Sequence, residues 1–224
     1  MKANYDCTGN KIFLADEMVA PEGDFDQAIY FQKGQEVKEE EGEEFTSMDV
    51  KIYNRDGSEA GNCLNGMRAL SDLAFTQLGV RGRIKFLQEG LLLAETFRNQ
   101  EETGVMVDFP RYEPGEVGTP DKVHLGNEHH VHWKVNEVVN VPMNYMPKEN
   151  EEYVLNRHER DIFAIVYEAG AGETLSCGSG AAAIAFSAFQ RYGQRESFIH
   201  YPGGELHVQI GDDKIFLSGR LRRL

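Results

Sequence analysis

Long apolar runs are missing from this chain of 224 residues. No stretch approaches the roughly 18 to 20 residues that a membrane-spanning helix needs. The opening Met1–Lys2–Ala3–Asn4–Tyr5–Asp6 leads into no signal-peptide core, so a cytoplasmic protein without a membrane partner is expected. Positive charge is scarce: 23 Lys and Arg stand against 37 Asp and Glu, a formal net charge of −14. A nucleic-acid partner, which calls for a basic patch, is excluded on that ground. Cysteine is rare as well. Three residues, Cys7, Cys63 and Cys177, make no disulfide framework in a reducing compartment. There is no C-x-x-C and no H-E-x-x-H. Four of the seven histidines fall between His124 and His132, yet no His/Cys set has zinc spacing, so no metal is expected. Gly170–Ala171–Gly172 lacks the third glycine of a dinucleotide fingerprint, and no cofactor is expected.

What the chain does have is one pattern written twice. Glu59–Ala60–Gly61–Asn62–Cys63–Leu64–Asn65–Gly66 recurs as Glu173–Thr174–Leu175–Ser176–Cys177–Gly178–Ser179–Gly180. The offset of 114 is about half the chain, and it also superposes Ala69 on Ala183, Phe75 on Phe189 and Gly79 on Gly193. Self-similarity at half the length implies duplication and two similar lobes. Cys7 has no counterpart and reads as structural.

The coarse pattern agrees. Runs rich in β-branched and aromatic residues predict strands at 9–15, 27–32, 48–54, 83–88, 91–97 and 104–109 in the first half. In the second they fall at 121–125, 130–135, 152–155, 162–167, 197–201, 205–210 and 214–218. Each half has one helix, 64–78 and 179–191, each followed by a glycine stop, and the second is Ala-rich enough to be buried. The acidic run Glu39–Glu44 reads as a solvated turn. The expected fold is α+β: two pseudo-symmetric lobes, each a curled, barrel-like mixed β-sheet around a central helix. The lobes are expected at residues 1–112 and 113–212, with a last strand in 213–224 returning to the first lobe.

Each repeated cysteine directly precedes a helix. A helix N-terminus exposes unpaired N–H groups and about half a positive charge. That lowers a thiol's pKa and binds carboxylates. Two such ends facing each other would clamp one carboxylate, with a sulfur on each side of its α-carbon. One thiolate would remove the α-proton and the opposite thiol would return a proton to the other face. The helix N–H groups would stabilise the enediolate. Thiols so placed should also be sensitive to oxidation.

At these residues the chain resembles the diaminopimelate epimerase family. Gly9–Asn10, Phe25–Asp26–Gln27, Asn54–Arg55–Asp56–Gly57–Ser58–Glu59, Cys63–Leu64–Asn65–Gly66–Met67–Arg68, Gly126–Asn127–Glu128–His129, Pro147–Lys148–Glu149–Asn150 and Gly172-to-Gly180 each resemble a family motif. The resemblance implies a cofactor-independent isomerase with Cys63 and Cys177 as the acid/base pair. It implies backbone donors at Asn65, Gly66, Gly178 and Ser179, a substrate-binding position at Leu64, and amino-acid contacts from Asn10, Gln27, Asn54, Asn127, Asn150 and Glu168. His129 would support the reacting end. The implied partner is a small amino acid, nominally diaminopimelate, and the implied assembly a homodimer. Two departures bear on substrate. Ala169 stands where the family carries an arginine for the distal carboxylate, and Leu64 stands where it carries glycine. A racemase of another amino acid, a non-catalytic relative, or a phenazine-biosynthesis-type isomerase are the alternatives; the last does not use the cysteine pair.

Overall fold

A computed structural model describes residues 1–38, 44–98, 103–134, 137, 139–142 and 144–224. Residues 39–43 of the acidic run lie outside that set. The first half holds β1 (Lys2–Cys7), β2 (Asn10–Ala15), β3 (Gln27–Lys38), β4 (Glu44–Asn54), α1 (Leu64–Gln77), β5 (Arg83–Gln88), β6 (Leu91–Arg98) and β7 (Thr103–Asp108). A short β8 (Arg111–Glu113) leads to the second half. It holds β9 (Asp121–His124), β10 (Glu128–Trp133), β11 (Asn150–His158), β12 (Asp161–Glu168), β13 (Gly172–Thr174), α2 (Gly178–Tyr192), β14 (Glu196–Tyr201), β15 (Gly204–Ile210), β16 (Lys214–Gly219) and β17 (Leu221–Arg223).

The duplication is legible in the strand pairing. From β1 to β7 the neighbours pair antiparallel, parallel, antiparallel, parallel, antiparallel, antiparallel. The path β9–β10–β11–β12–β14–β15–β16 repeats that series in the same order. Matching parallel steps (β4–β5 and β12–β14) flank each helix, because a parallel step needs a long crossover and the helix supplies it. The halves join where β7 pairs with β16, and β17 runs back to pair with β1. Among the described residues the result is one connected 17-stranded mixed sheet that curls without closing. The segment between β2 and β3 is crossed without helix or strand.

Each helix is buried by the curl of its own half. α1 packs on β1, β2, β6 and β7, and α2 on β9, β10, β11, β14, β15 and β16. Ala181, Ala182, Ala183, Ala185 and Ala188 of α2 are inaccessible to solvent. Small side chains let the sheet approach this helix on nearly all sides. Gly79 and Gly193, equivalent in the repeat, both take a left-handed φ (+68° and +69°) just past a helix end, which glycine adopts without a Cβ penalty. Among the described residues no helix is long and apolar enough to cross a membrane.

Candidate active site

The two helices meet end to end at the cysteines. Cys63 is the N-cap of α1 and Cys177 that of α2, both in extended backbone. Cys63 Sγ accepts from the Gly66 N–H at 3.2 Å, and Cys177 Sγ from the Gly180 N–H at 3.3 Å. A sulfur thus does what a serine or aspartate oxygen does at an ordinary cap. The helix starts abut so closely that a Cβ on Gly178 would lie 2.8 Å from the Asn65 backbone nitrogen. A Cβ on Gly66 would meet Ile29 Cδ1 at 2.0 Å, so that side chain would have to move. The N–H groups of Leu64, Asn65, Gly178 and Ser179 have no acceptor among the described residues, as the first turn of a helix leaves them. Leu64 itself is fully buried in the apolar core and keeps a negative φ, so the side chain in place of glycine imposes no unusual backbone there.

The predicted polar residues surround these caps. The Cys63 thiol donates to Gln27 Oε1 at 2.6 Å, and Gln27 Nε2 donates to Asn54 Oδ1 at 3.1 Å. Asn65 Nδ2 donates to Asn10 Oδ1 at 3.3 Å, while buried Arg68 donates to Asn65 Oδ1 at 2.8 Å. Asn127 ties the halves together: its Oδ1 accepts from Gly61 N–H at 2.8 Å and its Nδ2 donates to Asn62 O at 2.8 Å, just before Cys63. Asn150 Oδ1 accepts from the Ala169 N–H at 2.9 Å. Glu168 is buried and accepts from Thr174 Oγ1, and Ser179 Oγ lies 3.5 Å from Cys177 Sγ.

Burial reverses one expectation drawn from the helix ends. Both thiols are held well above their ordinary pKa, chiefly because each is fully enclosed, with the negative Glu168 adding to the shift at both. The cap N–H groups pull the other way and lose. In the resting site both sulfurs are therefore neutral thiols. Glu168 is pushed up to about 7 by burial, against hydrogen bonds from Thr174 and Cys177. It can exchange a proton near neutral pH.

His129 is fully buried, with Nδ1 2.8 Å from Glu152 Oε1, and its Nε2 has no hydrogen-bond partner among the described residues. Sequence reasoning missed Glu152. This carboxylate is solvent-inaccessible, lies against Gly180 (a Cβ there would fall 2.4 Å from Oε1), and receives the Tyr201 hydroxyl at 3.4 Å. Burial raises Glu152 to about 8 and lowers His129 to about 4, so the pair is neutral rather than ionic. The signal was the period-2 alternation of β11, which buries residues 150, 152 and 154 together. Arg68, also wholly buried, was quoted in a motif without a role; it holds Asn65 and the Gly219 and Arg220 carbonyls.

A cleft of about 810 Å³ opens beside the caps, lined by Gln27, Asn54, Asn127, Asn150 and Ala169 together with charged residues of β8, β9, β10 and the loop before β11. Among the described residues one group, Asp161, His200 and Glu205, brings possible metal-ligand atoms within 4.8 Å of one another. It includes none of the predicted site residues.

Comparison with known proteins points to one family and one fold. A family model for diaminopimelate epimerase matches residues 127–223. A diaminopimelate epimerase of Desulforapulum autotrophicum is 30% identical over 205 residues, covering 74% of this chain and 71% of that protein. Another from Geobacillus thermodenitrificans is 30% identical over 212 residues, covering 76% and 72%. Among solved structures, a predicted epimerase from Pseudomonas aeruginosa superposes with a TM-score of 0.69 at 13% identity, over 100% of this chain and 96% of the other. A hydroxyproline epimerase from Agrobacterium vitis, with trans-4-hydroxy-L-proline bound, gives 0.61 at 6% identity over 100% and 91%.

Proposed function

The chain belongs to the diaminopimelate epimerase family, and on that premise we propose that it is a cofactor-independent amino-acid epimerase that inverts an α-carbon between Cys63 and Cys177. The observation that carries the reading is the pair of abutting helix starts, each capped by its own thiol. The free N–H groups of Leu64, Asn65, Gly178 and Ser179 receive the substrate carboxylate, where two positive helix ends converge. Substrate entry places the ammonium beside Glu168. The Cys177 proton passes to Glu168, and the thiolate takes the α-proton. The electron pair of the broken C–H bond moves into the carboxylate as an enediolate. The Cys63 thiol then gives its proton to the opposite face, leaving a thiolate there and a thiol at Cys177. The reverse reaction retraces these steps: the Cys63 thiolate takes the α-proton, and Cys177 gives its proton to the other face and recovers one from Glu168. Full enclosure of both sulfurs supports this, because helix-end dipoles act far more strongly on the enediolate in a dry site than in water.

The nominal substrate is diaminopimelate, on the strength of the relatives' names. A second reading, a racemase of an amino acid without a distal carboxylate, is favoured by Ala169, which offers no cation. The proposal includes a division into lobes at 1–112 and 113–212 with the last strands returning, supported by the repeated pairing series, and a cytoplasmic homodimer, which light scattering would test. The deciding experiment for the activity is α-proton exchange in D2O followed by NMR under reducing conditions. Wild-type protein should exchange the α-proton of LL-diaminopimelate, Cys63→Ser and Cys177→Ser should each abolish inversion, and Cys7→Ser should retain it. Full inversion by either of the first two variants would end the two-thiol mechanism.

A further inference from the structure

The cleft beside the caps is lined by charged as well as uncharged side chains. Among the charged ones are Arg111 of β8, Lys122 of β9 and Lys148 of the loop before β11. Strand register sets their arrangement. Arg111 pairs with His124, and Lys122 lies two residues back from His124, so Arg111 and Lys122 share one face of the β8–β9 ribbon. All three cations are exposed, and among the described residues none has a carboxylate at ion-pair distance. Lys51 and Arg81 likewise have no ion pair among the described residues, so what sets these three apart is that they line one cleft. Arg55, Arg160, Arg191 and Lys214 are all paired.

Carboxylates share the cleft but do not neutralise these cations. Glu128 is held by His124 at 3.2 Å, and Glu59 by Gln88 at 3.4 Å. Glu149, next to Lys148, has no described partner. Both signs are thus available in the cleft. Its volume of about 810 Å³ is large for a small apolar amino acid. Pockets of about 300–1,000 Å³ hold considerably larger ligands.

Resting on the epimerase reading, we propose that Arg111 and Lys122, with Lys148, form the distal subsite of this enzyme and take the terminal carboxylate of a long amino-dicarboxylic substrate. Glu149 faces the ammonium that stands beside that carboxylate in a diamino diacid. Arginine suits the task because its planar fork binds a carboxylate through two parallel hydrogen bonds. Ala169 leaves this side of the cleft open, so the anion is met from the β8–β9 ribbon.

The test compares LL-diaminopimelate with L-lysine, which keeps the distal amine and lacks the distal carboxylate. Exchange kinetics in D2O are measured for wild type, Arg111→Ala, Lys122→Ala, the double variant and Arg111→Lys. Wild type should prefer diaminopimelate by at least about tenfold in kcat/KM. The double variant should raise the diaminopimelate KM by about tenfold or more, with the loss in KM rather than kcat, and its preference over lysine should collapse. Arg111→Lys should recover part of the loss. Raising salt should raise the wild-type KM and leave that of the double variant nearly flat, since exposed charges are screened. A double variant with wild-type KM, or a wild type that favours lysine, overturns the subsite and leaves the epimerase reading standing. Exchange on no amino acid at all overturns the epimerase reading itself.

Discussion

Replacing Gly178 by alanine adds one methyl group and forces the two helix starts apart. The new Cβ would sit 2.8 Å from Asn65 N and 3.0 Å from Asn65 Oδ1. Ordinary contact begins near 3.4 Å, so about 0.6 Å must be found. The nearest obstacle is backbone, at the first turn of α1, and it cannot rotate away as a side-chain end could. Overpacking of this kind costs about 1–3 kcal/mol. The catalytic cost should exceed the stability cost. A misplacement of about 1 Å between reacting groups reduces rates roughly 100-fold, so Gly178→Ala should lose between about 10- and 100-fold in kcat/KM for α-proton exchange. Urea denaturation measures the first quantity and NMR in D2O the second. Gly118→Ala is the control. Its φ of +88° strains any Cβ, by about 1–2 kcal/mol, yet nothing lies within 4 Å of the added atom. It should lose comparable stability and no rate. Gly178→Ala with kcat/KM within about threefold of wild type would refute the claim that abutment of the helix ends sets the reaction geometry.

Three further outcomes follow from the burial of the site. Since Cys63 and Cys177 are enclosed and raised well above the ordinary thiol range, iodoacetamide at neutral pH should label them at least about 100-fold more slowly in native protein than after unfolding; labelling as fast as a free thiol would contradict the resting thiol state. Glu152, raised to about 8 in the folded state, binds a proton that the unfolded chain releases near its ordinary carboxylate pKa. Its stabilising contribution is full below about pH 4.5 and is lost as pH rises through about 8. The stability of wild type relative to Glu152→Gln should therefore decline across that window, and a difference that is flat from pH 5 to about 8 would remove Glu152 as the titrating group. Asn127→Ala breaks both clasp bonds, the one to Gly61 N–H and the one to Asn62 O, and should cost about 1–3 kcal/mol as well as activity; differential denaturation that finds no loss would show the clasp to be dispensable.

The features visible in the sequence were those that repeat or cluster. Cys63 and Cys177 stood out because a helix cap, its preceding loop and its terminal glycine all recur at one offset. Runs of β-branched and aromatic residues marked the long strands. β1, β8 and β13 were missed: β8 and β13 have only three residues, and β1 takes one of its neighbours from a distant partner, Cys7 with Leu221. Glu152 was missed for a different reason. A glutamate in a strand reads as solvent-facing, and only its His129 and Tyr201 partners make burial tolerable. Arg111, Lys122 and Lys148 belong to no repeated element, and register together with a loop brings them to one cleft. The helix-end argument for acidic thiols failed because it counted the dipole and left out desolvation, the larger effect in an enclosed site.

Backbone symmetry and electrostatic symmetry part company at the two sulfurs. Each cap has the same N–H donor three residues on, at nearly the same distance. Beyond that the surroundings differ. Cys63 faces the neutral amide of Gln27, which accepts its proton in a hydrogen bond and cannot titrate. Cys177 faces Glu168, poised at about 7, with Glu152 behind it. Only one side of the carbon therefore has a neighbouring base able to take a thiol proton near neutral pH. Under the two-thiol mechanism the direction in which Cys177 is the base draws on Glu168. The opposite direction needs the Cys63 thiolate, and since Gln27 cannot take its proton, that proton must leave by way of the bound substrate. Glu168→Gln should then slow the two directions unequally, with the larger loss where Cys177 starts as thiolate. Equilibrium binds the two kcat/KM values to one ratio, so the inequality must fall on kcat and KM separately. Progress curves from each epimer read both parameters, and equal changes in kcat for the two directions would place the asymmetry outside the chemistry.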